Sequence, residues 1–268
     1  MSKERLDKVL VARGFFETRE KAKQNIMAGL VFVNNVRIDK AGEMIDPDLP
    51  ISVKGNALPY VSRGGLKLEK ALSEFKINAL HKTAIDVGAS TGGFTDCLLK
   101  NGADKVVAID VGYGQFAWKL RTDKRVTLME RTNIRYVSLS DIGYLSDICT
   151  IDVSFISLKL VLPVIKKLVK EGGEIVCLVK PQFEAGREKV GKKGVVRDPA
   201  THKEVIKGII DFSMYNEFSI GGLSFSPIKG PEGNIEYLLY ILNKPGRNKV
   251  LNIDELIANV VDESHEIL

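Results

Sequence analysis

The stretch Ala84-Ile85-Asp86-Val87-Gly88-Ala89-Ser90-Thr91-Gly92-Gly93-Phe94, AIDVGASTGGF, decides the fold. Apolar residues run into a carboxylate and then into three glycines. A short apolar run closed by glycine reads as a buried strand, and the glycine-rich residues after it read as the sharp turn that opens a helix. In a doubly wound sheet, ligands bind beyond the carboxyl ends of the strands, where the first strand turns into its helix. Gly88 lets the backbone leave the strand sharply. Gly92 and Gly93 lack side chains, so a ligand can sit against the main chain at the helix start. The turn therefore predicts a nucleoside-bearing cofactor; the alternative is a tight turn that holds nothing.

On either side of this turn the chain alternates between two periodicities. TAIDVG (83–88), KVVAIDVG (105–112), RVTLME (125–130), DICTIDVSF (147–155), EIVCLVK (174–180), SIGGLSFSPI (219–228) and IEYLLYIL (235–242) read as strands. GGFTDCLLKNG (92–102), LKLVLPVIKKLVKEGG (158–173) and PATHKEVIKGIIDFSMY (199–215) read as helices. Near-continuous apolar strands separated by amphipathic helices predict a parallel α/β sheet covered on both faces, a Rossmann-like doubly wound fold. The last two strands have no clear helix between them, which suggests an antiparallel edge. NIDELIANVVDESHEIL (252–268) reads as a terminal helix.

Which cofactor the turn serves depends on glycine spacing. The order Gly88-Ala89-Ser90-Thr91-Gly92-Gly93 departs from the dinucleotide fingerprint G-x-G-x-x-G. S-adenosylmethionine is therefore expected over NAD. Asp110, ending the next strand, offers a carboxylate to both ribose hydroxyls, a feature that serves either cofactor. The expected contacts are Asp86, Gly88, Ser90, Thr91, Gly92, Gly93 and Phe94 of the turn, with Asp110 and Val111 beyond the second strand.

The first 58 residues read as a separate α+β unit. RLDKVLVARG places Leu6, Val9, Leu10 and Val11 on or near one helical face, with Gly14 as its stop. TREKAKQNIMAGL opens at Thr18, a good N-cap, and closes at Gly29. VFVNNVRI reads as a hairpin around Asn34-Asn35. Arg5, Lys8, Arg13, Arg19, Lys21 and Lys23 decorate the two helices, either as a solvated face or as a phosphate-binding surface. Residues 59–66, with Pro59 and Gly64-Gly65, form a linker. Residues 67–245 hold the sheet, and 246–268 the helical tail.

Composition narrows the class. The 268 residues are 44% hydrophobic and 27% charged, as in an ordinary globular chain, and the formal charge of +5 suits a polyanionic partner without demanding one. No run approaches the ~18 apolar residues of a membrane helix. MSKERLDKVL has no apolar signal core, so a cytoplasmic protein is expected. Cys97, Cys149 and Cys177 lie far apart in apolar segments and read as reduced core residues. His81, His202 and His265 are too scattered in sequence to predict a metal site.

Two resemblances sharpen these readings. Two short helices followed by GLVFVNNVRI resemble the small RNA-binding domain shared by a small-subunit ribosomal protein, pseudouridine synthases and tyrosyl-tRNA synthetases. DVGASTGGFTDCLLKNGA is similar to the first motif of FtsJ-type ribose methyltransferases, and nearly the whole chain resembles the TlyA family. That resemblance implies 2′-O-methylation of cytidine in ribosomal RNA of either or both subunits, with S-adenosylmethionine as cofactor, ribosomal RNA or subunits as partner, and no metal or membrane. It also implies a Lys-Asp-Lys-Glu tetrad: Lys67 in SRGGLK, Asp152 in CTIDVSF, Lys180 in CLVKPQF and Glu236 in GNIEYLL. Independently, Asp152 and Lys180 each end an apolar strand, where a buried charge needs a partner. Ordinary strand-end salt bridges would explain any one of the four.

The same resemblance directs attention to ERTNIR, where Asn133 follows the third strand at the adenine position. Arg63, in SRGGLK, joins the RNA-contact candidates. The glycine-rich GREKVGKKGVVRD contributes Arg187, Lys189, Lys192, Lys193 and Arg197, either as a solvated loop or as a clamp on RNA phosphates. The competing functions are a nicotinamide-dependent oxidoreductase with a basic appendage, and a membrane-acting haemolysin, a label carried by TlyA-family proteins.

Overall fold

The computed structural model describes residues 3–27, 29–53, 59–230, 232–246 and 252–268. The expected boundary at residue 58 and the opening of the tail, 247–251, lie outside the described residues. Two compact units emerge, Met1–Gly65 and Leu66–Leu268.

In the first unit, strand β1 (Glu4–Arg5) leads into helices α1 (Leu6–Ala12) and α2 (Arg19–Met27). Strands β2 (Val31–Val33), β3 (Val36–Arg37), β4 (Met44–Ile45) and β5 (Ile51–Val53) follow. Thr18 Oγ1 accepts from Lys21 N at 3.2 Å and starts α2 as an N-cap does. Asn34 (φ 50°) and Asn35 (φ 62°) take the two left-handed positions of the hairpin, which pairs Val33 with Val36. The antiparallel order β3-β2-β5 lies apart from the β1–β4 pair. Leu6, Val9, Leu10, Ala22, Ile26 and Val31 form the core.

Helix α3 (Gly64–Glu74) starts two residues before the second unit, which begins at Leu66. The unit continues with β6 (Thr83–Val87), α4 (Gly93–Lys100), β7 (Lys105–Ile109), α5 (Trp118–Arg121) and β8 (Val126–Met129). Then come α6 (Leu139–Ile142), β9 (Ser146–Ile151), α7 (Leu158–Ile165), β10 (Val169–Val179) and α8 (Pro181–Glu184). Helix α9 (Pro199–Tyr215), β11 (Ser219–Phe225), β12 (Tyr237–Leu242) and α10 (Ile253–Ile267) complete it. The seven strands run β11-β12-β10-β9-β6-β7-β8, and β12 alone runs against the others.

The last two strands form the antiparallel edge expected of them: β12 pairs antiparallel with β11 on one side and with β10 on the other. All six of its residues are buried, so it belongs inside the sheet. Residues 169–173, expected at the end of a helix, start β10 instead. Helix α7 carries Pro163 and ends at Ile165, and Gly172 takes φ +73° where the β9–β10 register shifts between Val169 and Glu174. Helix α9 begins as expected because Asp198 caps Ala200 N and Thr201 N with Pro199 at the first position. Cys97, Cys149 and Cys177 are buried free thiols. Among the described residues, no helix is long and apolar enough to cross a membrane.

Candidate active site

The strand directions bring four charges to one end of the sheet. Asp152 follows the last residue of β9, and Lys180 follows the last residue of β10 as the residue before α8. Because β12 is antiparallel, its first residue pairs with the last of β10, Val179 with Tyr237. Glu236 therefore lands on the end of the sheet that Lys180 occupies. Helix α3 supplies Lys67.

The four form a row of alternating sign. Lys180 Nζ lies 2.5 Å from Asp152 Oδ1 and donates to Ser154 Oγ at 3.2 Å. Lys67 Nζ donates to Glu236 Oε2 at 2.5 Å and lies 3.8 Å from Asp152 Oδ2. Lys67, Lys180 and Glu236 are 8%, 7% and 1% exposed, burial that unpaired charges do not tolerate. Burial acts to raise the Asp152 carboxyl, but the Lys67 and Lys180 ammonium groups prevail and hold it below the ordinary carboxylate range.

Asp152 also lines a cavity of about 760 Å³, of the size that small-molecule sites take. Gly88, Ser90, Asp110, Val111 and Asn133, among the candidate cofactor contacts, lie on its wall. Main-chain donors fix the Asp110 carboxylate: Ser90 N to Oδ2 at 2.7 Å and Gly112 N to Oδ1 at 2.6 Å. Asn133 accepts from Arg135 N at 3.1 Å.

Asp86, Thr91, Gly92, Gly93 and Phe94 are not on that wall. Asp86 is fully buried and accepts from Thr95 Oγ1 at 2.6 Å and Thr150 Oγ1 at 3.1 Å; burial pushes its carboxyl up to about 6. The glycines have packing reasons of their own. A Cβ on Gly88 would stand 2.4 Å from the Asp152 carbonyl oxygen, and one on Gly92 2.5 Å from Leu120 Cδ1. Gly92 also has φ +93°. Its lack of a side chain thus makes room for α5 and for the left-handed turn.

Several residues on this end of the sheet escape a reading of the sequence. Gln115, Thr132, Arg135 and Phe155 line the main cavity, and Gln115 Nε2 donates to Asp110 at 3.3 Å. Phe155 is 90% exposed at φ +63° and meets Phe183 ring to ring at 4.9 Å. These two rings, with Gln182 and Arg187, line a second cavity of about 400 Å³. The available signal is the aromatic of DVSF just past the strand-end acid, hidden because the apolar strand pattern runs on through it.

The basic candidates divide by partner. In the first unit, Arg5 and Arg19 both bind the buried Asp7, at 3.0 and 2.8 Å. The Arg5 hydrogen bonds, aided by Arg19, hold the Asp7 carboxyl well below its usual range against the effect of burial. Arg13 donates to the Leu49 carbonyl at 2.7 Å and Lys21 pairs with Glu17, whereas Lys8 and Lys23 are exposed. Arg63 is close enough to Arg37 and Asp39 to feel both charges. In the second unit, Lys189 pairs with Glu204, Arg187 reaches the smaller cavity, and Lys192, Lys193 and Arg197 are exposed. His202 and His265, separated by 63 residues, are neighbours after all, with Nδ1 and Nε2 3.3 Å apart. Among the described residues, no group of three metal-ligating side chains forms.

Fold and site define a methyltransferase of the FtsJ-like type behind a small RNA-binding module. The FtsJ-like methyltransferase family model matches residues 60–242 and the S4 domain model residues 4–51. A Bacillus subtilis relative carrying an rRNA methyltransferase name, YqxC, is 58% identical over 99% of this chain and 95% of its own. The 16S/23S rRNA (cytidine-2′-O)-methyltransferase TlyA of Mycobacterium tuberculosis is 40% identical over 91% of each chain. A solved structure from Streptococcus thermophilus, described as a hemolysin, superposes with a TM-score of 0.80 at 48% identity, covering 100% of this chain and 97% of that one. The chain belongs to the TlyA family. With that membership the oxidoreductase alternative lapses.

Proposed function

We propose that the chain transfers a methyl group from S-adenosylmethionine to the ribose 2′-hydroxyl of a cytidine in ribosomal RNA. The observation that carries this is the row Lys180–Asp152–Lys67–Glu236, joined to the larger cavity through Asp152. Relatives named as rRNA (cytidine-2′-O)-methyltransferases support the choice of acceptor, and work on ribosomal RNA implies the cytoplasm.

The residues present suit the cofactor. The Asp110 carboxylate takes Gly112 N and Gln115 Nε2 on Oδ1 and Ser90 N on Oδ2, which leaves a lone pair on Oδ2 for a ribose hydroxyl. Asn133, on the same cavity wall, is the contact we assign to an adenine edge. S-adenosylmethionine supplies, when bound, a methyl group already activated on a sulfonium. The ribose hydroxyl is the poor nucleophile, so the chain's task is to aim it and to take its proton. Lys180 accepts, or strongly hydrogen-bonds, that proton, and Asp152 orients Lys180. Lys67 and Glu236 position the ribose and balance the charge. Phe155 and Phe183 offer ring faces against which the target base can stack. The exposed lysines of 187–197 and of the S4 domain grip phosphates.

Lys180→Ala tests this reading. It should bind S-adenosylhomocysteine and large ribosomal subunits as wild type does and lose ~10²–10⁴-fold in single-turnover transfer. Wild-type transfer by a folded variant would remove Lys180 from the chemistry.

A further inference from the structure

The basic segment is tied to the residues that lead into β12, Glu236 among them. Asn234, 3% exposed, sits two residues before Glu236 and bonds the segment twice through its side-chain amide. Its Oδ1 accepts from Val196 N at 3.1 Å, and its Nδ2 donates to the Gly194 carbonyl at 2.9 Å. Val196 is held from its other side as well. Its carbonyl meets His202 Nε2 at 3.0 Å, and His202 Nδ1 lies 2.6 Å from the hydroxyl of Tyr237, the residue after Glu236. Above these ties the segment closes on itself, with Gly194 N donating to the Gly191 carbonyl and Gly191 N to the Val195 carbonyl. Lys192 and Lys193 stand exposed at the tip of that closed turn.

The Glu236 side is equally close-set. The Asn234 carbonyl accepts from Gly230 N at 2.9 Å, and a Cβ on Gly230 would come within 2.7 Å of Glu236 Oε1. A shift of Asn234 therefore reaches both the lysine tip and the carboxylate that holds Lys67.

We infer that Asn234 is a positioning residue which registers the lysine tip against Glu236, so that phosphate contact at the tip and ribose placement at the tetrad are coupled. The inference rests on the proposed RNA methyl transfer and on the tip's contact with phosphate. A tip fixed before RNA arrives loses less freedom on binding, and its charge is delivered at one height above the tetrad.

The test is a double-mutant cycle in the full-length chain. Wild type, Lys193→Ala, Asn234→Ala and the double variant are compared on large ribosomal subunits from cells lacking the enzyme. Subunit affinity and single-turnover rate are measured, with S-adenosylhomocysteine calorimetry and thermal melting reporting on the fold. Asn234→Ala should keep S-adenosylhomocysteine affinity within about twofold and slow saturated single-turnover transfer at least about tenfold. Lys193→Ala alone should weaken subunit binding about threefold and lower the salt slope by ~0.9, as loss of one phosphate contact does. In the Asn234→Ala background that threefold effect should shrink toward one. Losses that simply multiply would overturn the coupling while leaving the phosphate contact standing. Wild-type binding by Lys193→Ala would overturn the phosphate contact and the coupling with it. If Asn234→Ala does not fold, Asn234→Asp keeps the acceptor for Val196 N, removes the donor to Gly194, and must give the same pattern.

Discussion

Asp152 is the residue on which the charge row turns, and Asp152→Asn is the perturbation that exposes it. The substitution keeps shape and an acceptor oxygen while removing the carboxylate charge that Lys180 and Lys67 share. At an effective dielectric of about 20, charges separated as Lys180 and Lys67 are from Asp152, 2.5 and 3.8 Å, attract it by about 7 and 4 kcal/mol before desolvation is counted. Most of that offsets burial, and removing one partner from a buried set costs roughly 3–5 kcal/mol. At roughly 2–4 °C per kcal/mol in a domain of this size, the melting midpoint at pH 7 should fall by roughly 6–20 °C. The Asp152 carboxyl titrates below its ordinary range when folded, so its contribution is present above about pH 4 and fades as pH falls through the depressed value. The gap between wild type and variant should therefore narrow in acid. Asp152→Asn combined with Lys180→Met restores charge balance and should recover much of the lost stability, since removing both partners costs less than removing one. Neither variant should transfer methyl at an appreciable rate. A single variant that melts with wild type, or a double variant no more stable than the single, would refute the electrostatic reasoning.

Other outcomes rest on the same physics. Because burial raises the Asp86 carboxyl to about 6, the folded chain holds a proton that the unfolded chain releases, and stability falls as pH rises from about 4 to 6. Asp86→Asn should thus melt higher than wild type at pH 8, by up to ~3 kcal/mol of stability, and gain nothing at pH 4. Arg19→Ala should destabilise the S4 domain by loosening the buried Asp7, whereas Lys23→Ala should weaken subunit binding without moving the melting midpoint. Gly92→Ala should cost stability of roughly 1–2 kcal/mol from its left-handed φ alone, plus the Leu120 contact, with S-adenosylmethionine affinity, read by calorimetry, retained in the folded fraction.

How much of this is legible in sequence depends on whether the cause is local. Strand-end apolar runs announce β6, β7 and β9, and Asn34-Asn35 announces the hairpin, because period and turn chemistry act within a few residues. The four tetrad residue types are legible through the family resemblance; the missing helix before β12 suggests its reversed direction, but its place beside β10, which brings Glu236 to the end of Lys180, is a tertiary fact. The early start of β10 is hidden because residues 158–173 carry helical composition, while Pro163 and the Gly172-Gly173 bulge decide otherwise. Gly92 stands out in sequence for its missing side chain, but only the tertiary structure puts Leu120 and Phe116 in the space beside it. The basic face of the S4 domain looks uniform in sequence, since the burial of Asp7 and its demand on Arg5 and Arg19 are tertiary facts.

The most direct test of methyl transfer to ribose is where the methyl goes. Large ribosomal subunits from cells lacking the enzyme are incubated with the chain and isotopically labelled S-adenosylmethionine, and the RNA is digested for nucleoside mass spectrometry. The account predicts label in 2′-O-methylcytidine, formed by wild type and at least about 100-fold more slowly by Lys180→Arg, whose guanidinium cannot accept a proton near neutral pH. Label in a methylated base, or 2′-O-methylcytidine formed by Lys180→Arg at the wild-type rate, would contradict it.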